Sequence, residues 1–256
     1  MLLIREVSNK DGEMGSIDYK VAIFISIKKY KKKQMINKFL YAFQFIKNVI
    51  DNLISSEFDE IKTIRKYLKG KIIFFDIGYN LGFETNKIRK IFNSGLEIHA
   101  FEPNPNLNIY VPNDVKFNNV AVTYKKFTKK QKFVSKKISS ASGLKNFVNK
   151  IDPSDKIVLV KTMRLDTYFK KNKIKKIDFM KIDAELCDLD CLKSLGKYMG
   201  KLKLLKIECT APTYYKIFNY LNSKSFIFLG INNNKYVNNE FSCGDAFFLN
   251  SKYKNL

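Results

Sequence analysis

The chain has 256 residues, 45% apolar and 28% charged, with 47 Lys plus Arg against 24 Asp plus Glu and a formal charge of +23. That length and apolar fraction suit one α/β domain with its own core and exclude wholesale disorder. Four cysteines and one histidine exclude a disulfide scaffold and leave too few soft ligands for a zinc site.

The positive charge favours an anionic partner such as nucleic acid, an anionic lipid face or a phosphorylated substrate. Yet the excess is nearly all lysine, whereas recognition surfaces favour arginine forks. A lysine surface with much Asn, Ile, Phe and Tyr is also what an AT-rich genome produces. No apolar run reaches the roughly 20 residues of a membrane helix. The first residues turn charged after MLLI, unlike a signal peptide. The expectation is a cytoplasmic protein with reduced thiols.

In chain order, a short apolar run at Val21–Ile27 precedes the basic stretch KKYKKK. From Lys33 to Ile54, Met35, Ile36, Phe39, Leu40, Phe43, Ile46, Val49, Ile50 and Leu53 make one apolar stripe at helical spacing. Such a basic amphipathic helix can cover a core, pair with a second copy of the chain, or lie on an anionic membrane. A second helix is expected at Glu57–Leu68, with Gly70 as its stop. Residues 1–70 therefore read as a helical extension and 71–256 as the main domain.

Strands then alternate with helices. Strands are expected at Ile72–Asp76, Leu96–Phe101, Val115–Val122, Ile157–Met163, Ile177–Asp183 and Lys203–Cys209. Helices are expected after the first strand through Phe92, at Arg164–Lys171, at Leu186–Met199 and at 213–222. Residues 123–156 read as a polar loop. Ser225–Leu229 and Asp245–Leu249 read as a hairpin around the Asn-rich loop INNNKYVNN. The pattern is that of a doubly wound, mostly parallel α/β sheet.

Ligands of such sheets bind at the carboxyl ends of the strands. The first strand ends Asp76-Ile77-Gly78-Tyr79-Asn80-Leu81-Gly82, where two glycines let the backbone approach a ligand and the next helix offers free N–H groups. The dinucleotide fingerprint and the P-loop lysine are absent, which argues against NAD and ATP. The second strand ends Phe101-Glu102-Pro103, and a carboxylate there can accept both hydroxyls of a ribose.

DIGYNLG, AFEPNP, FNNVAV, SSASG, RLDTYF and IDFMKIDAE, in this order, resemble the successive motifs of FkbM-type S-adenosylmethionine-dependent methyltransferases over about Lys71–Leu249. The resemblance implies a Rossmann-like sheet of seven strands with a C-terminal antiparallel hairpin, the cofactor S-adenosyl-L-methionine, and O-methylation of a small-molecule or glycan hydroxyl. It implies that Asp76, Gly78, Asn80 and Gly82 surround the methionine part of the cofactor. Glu102 would then hold the ribose, and Asn119 to Ala121 would border the adenine.

Two departures stand out. The family's fourth-strand motif resembles K-I-D-V-E-G-A-E, and this chain has Leu186 in place of the glycine and Asp188 in place of the last glutamate. Tyr79 replaces a small residue. Both changes are expected near the reaction centre. Asp183 and Glu185, at the end of that strand, are the candidate catalytic acids, with Glu208 a further cleft acid and His99 a structural residue. No metal is expected, although clustered acids could hold a divalent cation through oxygen. Cys187 and Cys191 read as buried thiols on one helix face. Two alternatives stay open beside O-methylation: a nucleic-acid methyltransferase, whose Pro-Pro-aromatic run is missing, and an impaired methyltransferase-like module binding a partner through its N-terminal helix.

Overall fold

A computed structural model describes residues 58–107, 111–125, 130–136, 142–148, 151–238 and 240–255. They fall within one compact unit, Asp51–Leu256. The apolar run at 21–27 and the amphipathic helix expected at 33–54 lie outside the described residues.

Helix α1 (Glu60–Tyr67) starts where the Asp59 carboxylate accepts the Lys62 N–H at 2.8 Å, and carries Glu60 in its first turn and Arg65 and Lys66 in its last. Its Ile64 and Tyr67, with the following Leu68, are buried in the core of the sheet domain. This helix, expected within the extension, shares its apolar face with the residues after 71.

Strands β1 (Ile72–Ile77), β2 (Leu96–Phe101), β3 (Val115–Asn118), β9 (Ile177–Ile182), β10 (Leu202–Thr210), β11 (Phe226–Val237) and β12 (Glu240–Asn250) form the main sheet in the order β11-β12-β10-β9-β1-β2-β3. The strands β3-β2-β1-β9-β10 run parallel, and β12 is antiparallel to both β10 and β11. The seven-stranded, mostly parallel sheet with its closing hairpin is thus as expected.

Successive strand residues face opposite sides, so the neighbours Phe74 and Phe75 enter two different cores. Phe74, Ile98, Phe179, Leu204 and Phe247 pack with α1 and with Ile88 of α2 (Phe83–Ile91). Phe75, Phe101, Met180, Leu205 and Phe248 pack with helices α3 (Leu165–Lys171), α4 (Asp188–Lys193) and α5 (Tyr214–Asn222). Both faces of β1 and β9 are covered, which is why their sequences are nearly continuous apolar runs.

Four local expectations are corrected. The segment 115–122 is two strands, because β4 (Ala121–Val122) leaves the main sheet to pair in parallel with β8 (Thr162–Met163). The supposed loop 123–156 contributes β5 (Gln131–Ser135) and β6 (Gly143–Leu144), which with β7 (Lys156–Val160) make a three-stranded antiparallel sheet. Lys132 of β5 and Lys156 of β7 are exposed, while Phe133, Val134 and Val160 are buried. The helix expected at 186–199 is α4 followed by a 3-10 turn at Gly196–Lys201. The Asn-rich segment is strand, since β11 runs on through Asn232 to Val237 with register shifts against β12.

Candidate active site

The chain leaves β1 toward one edge of the sheet for β2 and β3 and returns to the other side of β1 with β9, so the β1/β9 boundary is the point where strand order reverses. Crevices form there because the two crossovers leave in opposite directions. The loops after β1 and β9 touch at this place. A Cβ on Gly78, whose φ is +78°, would stand 1.8 Å from the Asp183 carbonyl oxygen. Only glycine fits.

Beneath the loop lies a buried charge pair. Asp76 is fully buried, and its Oδ2 accepts from the Thr85 hydroxyl at 2.7 Å. Lys181 Nζ lies 3.6 Å from Asp76 Oδ1 and 3.5 Å from Asp183 Oδ2, and donates to the Gly78 carbonyl at 2.7 Å. Burial pushes the Asp76 carboxyl up, against the pull of Lys181 and Thr85. For Lys181 burial is also the largest influence and acts downward, but Asp76, Asp183 and Glu84 together outweigh it and raise the ammonium.

Glu102, at the end of β2, is 6% exposed. Its Oε2 accepts the Asn80 N–H at 2.9 Å and its Oε1 the Asn104 N–H at 2.8 Å. Burial raises its carboxyl against these two hydrogen bonds. The backbone N–H groups of Gly78 and Tyr79 both donate to the Phe101 carbonyl, and the Asn119 side chain donates to the Glu102 carbonyl at 2.8 Å. The loops after β1, β2 and β3 are therefore tied together around Phe101 and Glu102.

A cleft opens over these groups. Its volume is about 70 Å³. Gly78, Asn80 and Glu102 line one side, Phe101, Val120, Ala121 and Val122 an apolar wall, and Asp183, Ala184 and Glu185 the side of β9. Phe133, Ser142, Gly143 and Leu144 from the small sheet close the remaining side. Of the residues singled out in the sequence, Gly78, Asn80, Glu102, Ala121, Asp183 and Glu185 meet here. Three do not line it. Asp76 lies under the loop, Asn119 acts through the Glu102 backbone, and Gly82 (φ +74°) caps α2 with its Cα against the Tyr79 ring.

The loop after β9 is strained. Glu185 and Leu186 are consecutive non-glycine residues at φ +51° and +67°. A left-handed L-residue costs about 1–2 kcal/mol, and Leu186, at the position where the motif resemblance puts a glycine, bears that cost. Asp188 is buried, and its Oδ1 accepts the Ala184 N–H at 2.8 Å, while its Oδ2 has no hydrogen-bond partner. Burial drives its carboxyl up to about 7, against that N–H. Burial raises Glu185 to about 8, reinforced by Asp183 and Asp188. Glu208, opposite Asp245 across the β10–β12 ladder, also reaches about 8 through burial and the four acids around it. Among the described residues no group of His, Cys, Asp and Glu could hold a metal ion.

Tyr79 was expected at the reaction centre. Instead its ring is buried under Gly82, edge-on to Phe117 with centroids 5.7 Å apart. His99 is fully buried between the Tyr168 hydroxyl and Glu97, a structural role. Sequence reasoning missed Lys181, whose central place inside a buried strand depends on the register of β9 against β1. It also missed Phe133 and Leu144, which lay in the segment read as a loop.

The residue set fits an adenosyl sulfonium. Glu102 offers a nearly buried carboxylate with a lone pair left on each oxygen after its two N–H bonds, beside an apolar wall suited to a purine.

A family model described as Methyltransferase FkbM domain matches residues 76–238. No curated protein matches the chain. Among solved structures, a protein of Plasmodium falciparum described as a ribosomal RNA methyltransferase is similar with a TM-score of 0.42 and 14% identity, over 74% of this chain and 91% of that one. A precorrin-6y C5,15-methyltransferase of Geobacter metallireducens gives 0.40 and 14%, over 73% and 85%. A SAM-dependent methyltransferase of Aquifex aeolicus gives 0.35 and 10%, over 75% and 90%.

Proposed function

Because this chain belongs to the FkbM methyltransferase domain family, and so is an S-adenosylmethionine-dependent methyltransferase, we propose that it methylates a hydroxyl oxygen of a sugar, glycan or other small acceptor. The observation that carries this reading is the shared cleft, in which the Glu102 carboxylate and the Glu185 carboxyl line one opening on either side of the Gly78 turn. When bound, the cofactor supplies a methyl group already activated by its sulfonium.

The chain's own residues bind, align and take a proton. Glu102 accepts the ribose hydroxyls, while Phe101, Val120 and Ala121 cover the base. The Asn119 side chain holds the Glu102 carbonyl, and the Gly78 and Tyr79 N–H groups hold the Phe101 carbonyl just before it. Asp76 and Lys181 lock the loop from below. Glu185 receives the proton of the acceptor hydroxyl, since a carboxyl raised to about 8 is a far better base near neutrality than an ordinary one. Asp183, with a side chain 43% exposed, orients the acceptor. The walls of β5 and β6 restrict water, which matters for an in-line displacement.

Calorimetry with S-adenosylhomocysteine tests the assignment. Glu102→Ala is expected to weaken binding by about 1–3 kcal/mol, the worth of charged hydrogen bonds. Unchanged affinity in that variant overturns the ribose role of Glu102.

A further inference from the structure

Lys206, in the middle of β10, is 4% exposed and does not line the cleft. Carboxylates from three elements converge on its Nζ: Glu84 of α2 at 2.9 Å, Glu60 of α1 at 3.2 Å and Asp245 of β12 at 3.4 Å. Glu60 also accepts from Lys87 at 2.5 Å and from the Asn232 side chain at 2.9 Å. Burial acts downward on the Lys206 ammonium, but Glu84, Asp245 and Glu60 outweigh it and raise it.

The place of Glu84 links this cluster to the loop after β1. Glu84 is two positions past Gly82, in the first turn of α2, and its neighbour Thr85 donates its hydroxyl to Asp76. Asp76, Lys181 and Lys206 stand side by side in register on β1, β9 and β10. The first turn of α2 is thus fastened to the sheet twice, through Thr85 to the Asp76–Lys181 pair and through Glu84 to Lys206. It directly follows the Gly78–Gly82 loop, whose Asn80 N–H meets Glu102 and whose Gly82 carbonyl accepts the Asn86 N–H at 2.9 Å. Burial and then Glu60 push the Glu84 carboxyl up, against Lys206 and Lys87, so loss of the Lys206 ammonium would set two buried acids against each other.

We propose that Lys206 is a positioning residue for the cofactor. Acting through Glu84, it fixes the first turn of α2 and with it the Gly78–Gly82 loop that holds the methionine part of S-adenosyl-L-methionine. The proposal rests on reading that loop as the cofactor loop, and adds a supporting residue two strands away from it. Groups that contact a ligand keep their geometry only when the residues behind them are themselves held.

Amide hydrogen exchange and calorimetry with S-adenosylhomocysteine, both on the full chain, test this. Glu84→Ala leaves Lys206 paired with Glu60 and Asp245. It is expected to speed exchange over residues 78–86 about tenfold and to weaken S-adenosylhomocysteine about tenfold, the scale of one charge-assisted hydrogen bond. Glu84→Gln keeps an oxygen for Nζ and is expected to recover most of both losses. Asp245→Ala takes a carboxylate from the same ammonium on the β12 side and is expected to leave both readings within about twofold of wild type. Lys206→Met is expected to reproduce the Glu84→Ala changes at a lower melting temperature; Glu84→Ala carries the test alone should that variant not fold. Unchanged exchange over 78–86 in Glu84→Ala, or equal changes in Glu84→Ala and Asp245→Ala, overturns the positioning role and leaves a structural ion network. Faster exchange with unchanged S-adenosylhomocysteine affinity, or no binding by the wild type, counts against the cofactor reading of the loop, because exchange is read without ligand.

Discussion

Gly78 and Asp183 meet with no room for a side chain between them: the Asp183 carbonyl oxygen stands 1.8 Å from where a Cβ of residue 78 would be. The turn after β1 and the turn after β9 are thereby held together at the reversal of strand order, with the Asp183 N–H also donating to the Ile77 carbonyl at 3.1 Å. Gly78→Ala has to separate these loops and adopt a positive φ as well. The expected result is loss of S-adenosylhomocysteine binding in calorimetry and destabilisation by more than about 1 kcal/mol in chemical unfolding. Near-normal binding would mean that the loops tolerate separation.

Lys181 is the counter-charge of fully buried Asp76. Removing one partner strands the other, so Lys181→Met is expected to cost about 3–5 kcal/mol in urea unfolding. Asp76→Asn/Lys181→Met, which removes both charges, is expected to recover much of that loss. Equal stability of the single and double variants would show that the pair contributes nothing specific.

The pH dependence of turnover follows from Glu185. As a proton acceptor it works only when ionised, and burial places its carboxyl at about 8. The rate is therefore expected to rise with pH through that value. Glu185→Gln should lower kcat by about 10²–10⁴ and flatten the profile, while S-adenosylhomocysteine affinity is retained. A rate independent of pH over this range would remove Glu185 as the base.

Stability is expected to move the other way. Glu208, raised from 4.5 to about 8, binds a proton more tightly in the folded than in the unfolded chain. Its favourable contribution is complete below its ordinary value and is lost as pH rises through about 8. Glu185 and Asp188 act in the same direction, Asp188 through about 7. Glu208→Gln, which cannot ionise, should melt higher than the wild type on the alkaline side, with the gap closing in acid. Parallel melting curves across pH would contradict the clustering of these acids.

Local patterns sufficed wherever a segment's neighbours impose one environment. The run Ile72–Ile77 is apolar because both its faces are covered, and Leu96–Phe101 ends on an acid beside a glycine turn, so strand, turn and Glu102 could be read together. Where environment comes from distant residues, the sequence was silent. The segment at 131–135 is a strand only because Lys156–Val160 returns beside it, and Asn232–Val237 because β12 accompanies it.

The one-dimensional order of residues determined that this chain is an α/β methyltransferase with a carboxylate at the end of its second strand, because strand periodicity, glycine turns and motif order are properties of short stretches. Tertiary structure alone decided that Asp76 is a buried partner of Lys181 and does not line the cleft, that Tyr79 packs under Gly82, and that Leu186 keeps a left-handed backbone. Those outcomes depend on which strand lies beside which and in what register. Such pairing joins residues about a hundred positions apart, as Lys181 reaches Gly78, and no local propensity encodes it.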